Sequence, residues 1–359
     1  MFMTMRTATV WLSITAAFIL LLSCAQTPKQ MSYFVEKPLQ LAEMLWPDLP
    51  ETPRYRYAGQ LLGEENFVQP EGDEPGALTR AWEWFAGIGS EAEAPNRSLV
   101  RPQSGMVLGT RIYVTDVGRG AVFVFDKANG ELFIWNQADR GDSFISPIGI
   151  AAGREGSILV ADSELQRIVR LSADGKTLGS FGEGVLTRPT GLVRDAMNKR
   201  IYVVDTREHN IKVFDDNGEL MDVLGFRGDG AGEFNAPTHI ALSDNRLYVT
   251  DTLNARIQVL GLDGEPISML GKRGLYLGNL TRPKGVTVDA DDNIYVVESY
   301  YDHLLVFDRQ GEFLLPIGGT GKEVGQFFLP SGVWNDDRGR IYVADMYNGR
   351  VMILQFLGG

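Results

Sequence analysis

The chain has 359 residues, 44% of them hydrophobic and 22% charged, with 41 Gly and 16 Pro. This composition excludes a disordered tail, a coiled coil and a collagen-like repeat, and leaves a globular protein with an ample core. Lys and Arg number 34 against 46 Asp and Glu, a net charge of −12, so binding to a phosphate backbone has no electrostatic support and nucleic acid is not an expected partner.

Residues 1–23 carry one basic residue, Arg6, and then an apolar run from Ala8 to Leu22 that ends at Leu21-Leu22-Ser23-Cys24. This is the pattern of a secretory signal peptide ending in a lipobox. A spanning helix needs about 20 unbroken apolar residues, whereas this run is shorter and interrupted by Thr9, Ser13 and Thr15. It resembles bacterial lipoprotein signals, which implies cleavage before Cys24, diacylglycerol on its sulfur and an acyl chain such as palmitate on the new amino terminus. Two or more chains make a stable membrane anchor. Ala25, where an inner-membrane lipoprotein would carry Asp, implies sorting to the outer membrane and a place in the cell envelope. Cys24 is the only cysteine, so no internal disulfide forms and no Cys-x-x-Cys-His haem site exists. Residues 24–53, interrupted by Pro28, Pro38, Pro47, Pro50 and Pro53, read as a tether, with Trp46 expected to dock on the body that follows.

Six nearly identical strands then recur: RIYVTD (111–116), SILVAD (157–162), RIYVVD (200–205), RLYVTD (246–251), NIYVVE (293–298) and RIYVAD (340–345). Their acidic ends are spaced by 46, 43, 46, 47 and 47 residues. Five units continue through Asn129-Gly130, Asp174-Gly175, Asn217-Gly218, Asp263-Gly264 and Gln310-Gly311, pairs that favour the positive φ of tight hairpins. A fourth strand and a loop lead to Pro102, Pro147, Pro189, Pro237, Pro283 or Pro330, which opens the next unit. Each unit is a four-stranded antiparallel meander, and such an array predicts an all-β fold, a six-bladed β-propeller. The sixth unit ends before its fourth strand, while RYRYAGQLLG (54–63) is a fourth strand without its first three. The last blade is therefore expected to be closed by this N-terminal strand, which removes the open sheet edges.

The order Pro-x-Gly, Tyr-Val-x-Asp, Asn-x-Arg, fullest in Asp251-Thr252-Leu253-Asn254-Ala255-Arg256 and Asp345-Met346-Tyr347-Asn348-Gly349-Arg350, resembles the NHL repeat family over residues 54–359. Blade 1 departs at Arg119 and Ala121, and blade 5 at Glu298, Tyr301 and His303. The resemblance implies a propeller used for binding more than for catalysis. The expected organisation is a signal peptide (1–23), a tether (24–53) and the propeller (54–359) with an insertion at 64–100.

Strand direction places the proline loops and the loops after the acidic residues on one face, here the upper face. The acidic ends recur in every blade, which assigns them a structural task in their own loops. Departures from the repeat are the candidates for function. His239 stands where Gly149, Gly191, Gly285 and Gly332 stand in other blades, at the channel mouth, and His209 and His303 lie on the flanking blades. Three imidazoles can ligate zinc with one position open, which gives an alternative reading as a metal-dependent hydrolase or lyase. Arg101, Arg188 and Arg282 precede the opening proline in alternate blades and can form a pocket for an anionic ligand. The insertion carries Trp82 and Trp84, and residues 31–100 hold seven of the twelve net negative charges, as a lid or docking element would. The leading expectation is a lipid-anchored envelope module without a cofactor that binds a protein partner or an anionic small ligand through its upper face. Membership of an envelope electron-transfer assembly is a further reading, by analogy alone.

Overall fold

The repeated segments are rich in β-branched and aromatic residues, which suit a pleated backbone covered on both faces. The computed structural model describes residues 29–34, 44–68, 85 and 97–358. Blade 1 comprises strands Pro102–Leu108, Arg111–Asp116, Ala121–Asp126 and Glu131–Trp135, and four further four-stranded blades span 147–181, 189–224, 237–270 and 283–318. All neighbouring strands within them are antiparallel, with the opening proline paired to the acidic end of the second strand: Pro102 with Asp116, Pro147 with Asp162, Pro189 with Asp205, Pro237 with Asp251 and Pro283 with Glu298. The glycines of the five expected hairpins have φ between +65° and +92°, the conformation that glycine adopts without steric cost.

Blade 6 joins the two halves of the sequence. Val333–Asn335, Arg340–Asp345 and Arg350–Phe356 come from its C-terminal part, and Tyr55–Leu61 pairs antiparallel with the last of these, Val351 opposite Leu61 and Phe356 opposite Tyr55. Leu45–Trp46 adds a fifth strand outside Tyr55–Leu61. Part of the segment read as a tether is thus built into the sheet, and Met44 and Trp46 pack on the core between blades 5 and 6. A second short pairing, Gln30–Met31 with Phe67–Val68, is held by Asn66. Its side-chain oxygen accepts the Leu62 and Gly63 amides, and its nitrogen donates to the Ser32 and Gln60 carbonyls. The insertion starts and ends at one point, where Gly63 bridges Ser98.

The core is not a single central mass. Six apolar clusters lie between successive blades, 1–2, 2–3, 3–4, 4–5, 5–6 and 6–1, which explains why second strands are buried along nearly their whole length while an outer strand such as Leu220–Leu224 is largely exposed. At the junction of chain ends Tyr55 Oη lies 3.0 Å from Tyr295 Oη, and Tyr295 Oη donates to Asp289 Oδ2 at 2.7 Å. The N-terminal strand is thereby bonded to blade 5 as well as to blade 6.

This closure is tested by truncation. Removal of residues 1–43 is expected to leave one cooperative thermal transition, whereas removal of residues 1–61 bares the edge strand Arg350–Phe356 and is expected to cost several kcal/mol or solubility. Equal melting curves for the two would show that Tyr55–Leu61 does not close the ring.

Candidate functional site

The upper face is organised by the acidic residue at the end of each second strand. In all six blades its carboxylate accepts the amide of the residue two before the opening proline: Val100 to Asp116 (2.7 Å), Ile145 to Asp162 (2.8 Å), Thr187 to Asp205 (2.7 Å), Asn235 to Asp251 (2.7 Å), Thr281 to Glu298 (3.3 Å) and Phe328 to Asp345 (2.8 Å). In blades 1, 2, 3 and 5 the same carboxylate also takes the next amide, of Arg101, Ser146, Arg188 and Arg282. These carboxylates therefore organise their own loops.

Blades 4 and 6 differ. Ala236 and Leu329 have φ of +50° and +47°, and their amides turn to the preceding blade, Ala236 to His209 Nδ1 at 2.9 Å and Leu329 to Asp302 Oδ1 at 2.7 Å. His209 is thus an acceptor for a loop amide. The next hydroxyl in line then ties blade to blade: Ser163 donates to the Pro189 carbonyl, Thr206 to Pro237 and Thr252 to Pro283.

Inside this ring the first strands approach one another closely. A Cβ at Gly149 would lie 2.1 Å from the Thr190 carbonyl oxygen, and one at Gly191 would lie 2.8 Å from the Cα of His239, so glycine is required by packing there. Below them is a cavity of about 340 Å³ walled by first strands of all six blades, among them Ile150, Leu192, Ile240, Val286 and Trp334. His239 lines it from the upper end. Its Nδ1 lies 3.2 Å from Thr238 Oγ1, and its Nε2 is buried with no hydrogen-bond partner. Burial, reinforced by the positive charge of Lys284, pushes the imidazole down to about 3, so at neutral pH the ring is uncharged.

Lys284 lies in the opening strand of blade 5, between Pro283 and Gly285. Burial lowers its ammonium below the ordinary lysine value, and Arg282 and Arg188 lower it further. Among the described residues it has neither a carboxylate partner nor a side-chain hydrogen bond. Among the described residues Arg282 forms no ion pair either, and Arg188 has a loose contact, 3.9 Å, to Glu164. Positive charge from Arg188 of blade 3 and from Arg282 and Lys284 of blade 5 thus gathers near His239 of blade 4: Lys284 acts on the imidazole, the two arginines act on Lys284, and Arg188 has Glu164 at 3.9 Å.

Of the residues singled out from sequence, Arg188 and Arg282 act on Lys284, which in turn acts on His239. Arg101, on blade 1, is exposed and is not among the charges acting on Lys284. Trp82, Trp84 and Cys24 lie outside the described residues. His209 is committed to Ala236, His303 lies in a separate cavity at the rim of blade 5, and among the described residues no group of three His, Cys, Asp or Glu side chains is arranged to hold a metal ion. The three histidines therefore do not form a common ligand set. Sequence reading passed over Lys284 because the position after the proline varies, with Gln103, Ile148, Thr190, Thr238 and Ser331 in the other blades. The signal present was that only blade 5 puts a charge there.

A family model described as "6-bladed beta-propeller" (DUF5128) matches residues 183–271 and 280–358. The chain is a six-bladed β-propeller. Solved structures share the fold: a protein of unknown function from Bacteroides thetaiotaomicron (TM-score 0.58, 15% identity, covering 72% of this chain and 70% of that one) and an auxiliary nutrient binding protein from Bacteroides ovatus (0.56, 14%, 72% and 70%). Virginiamycin B lyase from Staphylococcus aureus is also similar (0.53, 16%, 72% and 96%). No curated protein sequence matches the chain. At these identities the likeness of this propeller to them is one of fold.

A neutral buried imidazole makes stability depend on pH. The unfolded chain binds a proton on His239 below about 6.5 and the native one does not until about 3. The contribution is complete above pH 6.5 and is lost progressively as pH falls toward 3. Wild type is expected to lose about 2 kcal/mol more than His239→Gln between pH 7 and pH 5 in denaturant titrations, and parallel pH profiles would refute the assignment.

Proposed function

We propose that this propeller is a binding module of the cell envelope whose upper channel mouth takes an anionic group, in the simplest case a carboxylate of a small molecule. The observation that carries the reading is Lys284, a partly buried lysine on which two arginines act and which has no carboxylate partner among the described residues. Such a group costs stability unless something negative meets it. A carboxylate above His239 would accept charge-assisted hydrogen bonds from Lys284, Arg188 and Arg282, and the unpartnered Nε2 of His239 is available to a protonated or neutral polar atom of the same ligand. The Bacteroides ovatus nutrient binding protein supports the coarser statement, since it places a binding function on this fold. The repeat pattern of Asp251 to Arg256 supports an NHL-type module. The lipobox at 21–24 supports anchoring through Cys24 in the outer membrane, with an envelope protein as a further partner of the upper face.

Two experiments test this. Lys284→Met removes a partly buried charge that has no carboxylate partner among the described residues, so it is expected to raise the melting temperature while abolishing the stabilisation that wild type shows with millimolar succinate at matched ionic strength. Lower stability with an unchanged succinate response would overturn the site. For the anchor, Cys24→Ala is expected to abolish incorporation of labelled fatty acid and release the protein from the membrane fraction; undiminished labelling would end that reading.

A further inference from the structure

Blades 4 and 6 each seal the loop on their upper rim with an internal arginine. Arg256 Nε donates to Asp251 Oδ2 at 2.8 Å, and its Nη atoms donate to the carbonyls of Asp229, Gly230 and Glu233 at 2.7–2.9 Å. Arg350 repeats this, with Nε on Asp345 Oδ2 at 2.8 Å and Nη2 on the Glu323 and Gln326 carbonyls at 2.8 and 2.9 Å. Asn254 and Asn348 complete the seal by donating to the Gly228 and Gly321 carbonyls. The guanidinium thus sits between one buried carboxylate and a curl of loop carbonyls, the arrangement its planar set of donors fits best.

Blade 5 keeps the frame and lacks the arginine. Glu298 occupies the carboxylate position, Tyr301 the Asn position and His303 the Arg position, while Gly274, Tyr276 and Asn279 take the loop places of Gly228, Gly230 and Glu233. In the space so left lies a cavity of about 340 Å³ lined by Tyr276, Asn279, Glu298, Tyr301, His303 and Thr320. Three observations give it a chemical character. Glu298 is 1% exposed and has no ion pair among the described residues, where Asp251 and Asp345 each have an arginine at 2.8 Å. His303 Nδ1 is buried and has no hydrogen-bond partner. Leu275, Tyr276 and Leu277 at the mouth are 78%, 85% and 57% exposed, an apolar and aromatic collar suited to the stem and flat face of an alkylated cation. Arg273, the nearest arginine in the loop sequence, is turned to the Leu253 carbonyl.

We propose that this rim cavity of blade 5 binds an alkylguanidinium group from outside, in the place that the protein's own arginines hold in blades 4 and 6. The bound cation pairs with Glu298, donates to the loop carbonyls and lays its stem against Leu275 and Leu277. The site is separate from the channel mouth and opposite to it in charge preference.

Isothermal titration with n-propylguanidinium chloride, against sodium chloride at equal ionic strength, should show saturable one-to-one binding to wild type. His303→Arg supplies the missing side chain from within, so it should melt higher than wild type and show no binding. Glu298→Gln keeps an acceptor for the Arg282 amide and removes the charge, and should weaken binding at least tenfold; it also serves if His303→Arg does not fold. Lys284→Met should bind propylguanidinium as wild type does, which separates this site from the channel mouth. An acetylated and amidated Gly-Arg-Gly peptide that binds more tightly than propylguanidinium identifies an arginine of a polypeptide as the ligand, and equal affinity identifies a free small molecule. No saturable binding, or equal binding to the His303→Arg protein, would overturn the proposal.

Discussion

One buried carboxylate per blade, at the end of the second strand, fixes the face on which everything else depends. It is held in place by the strand ladder, it is nearly or wholly inaccessible to water in every blade, and it grips the amide two residues before the opening proline of its own first strand. A buried carboxylate is tolerated only when its lone pairs are used, and the free backbone amides of an irregular loop have the same need. Each solves the problem of the other. The loop that turns from the outer strand of one blade to the inner strand of the next is thereby set without regular secondary structure.

That constraint separates what was legible in the sequence from what was not. The six acids, the hairpin glycines, the opening prolines and the closing strand Tyr55–Leu61 all obey a repeat, and repetition carries its own physical explanation. The structural role of the acids followed from the same logic. Single departures were visible as departures, but their consequences were not. His209 reads as a ligand by residue type, yet it accepts the Ala236 amide because Ala236 adopts a positive φ that turns its N–H toward the neighbouring blade; nothing in an alanine before a proline announces this. His303 is recognisable as a substitute for arginine, but the cavity beside it follows from main-chain carbonyls, which a sequence does not display. Lys284 was legible only as the one charge at a variable position, and its isolation from carboxylates is a fact of three-dimensional placement.

Redundancy explains how such groups persist. A ring of six similar blades distributes its apolar core over six interfaces, and the hydroxyls of Ser163, Thr206 and Thr252 link blades 2 to 5 into one girdle. A local cost in one blade is then borne by a fold that the other five already specify. The costs are specific: a cation without counter-charge in blade 5, an imidazole in place of glycine in blade 4, and a carboxylate without its arginine in blade 5. Each lies on the upper face and each departs from what at least two other blades do there, His239 from the glycines of blades 2, 3, 5 and 6 and Glu298 from the arginine pairs of blades 4 and 6, which is the pattern expected where binding competes with stability.

The channel decides where an anion can sit. Its walls carry apolar first-strand side chains such as Ile150, Leu192, Ile240 and Val286 together with Ser104, Thr287 and Asn335, and among the described residues no Asp, Glu, Lys or Arg lines it. A carboxylate drawn into that cavity would lose water and meet no fixed charge, a penalty of several kcal/mol. At the mouth, in the binding mode proposed above, it would keep water on its outer side and meet Lys284, Arg188 and Arg282 on its inner side. The neutral state of His239 fits this division. A protonated imidazole would add a further positive charge beside Lys284, whereas the uncharged ring lines the cavity without that repulsion.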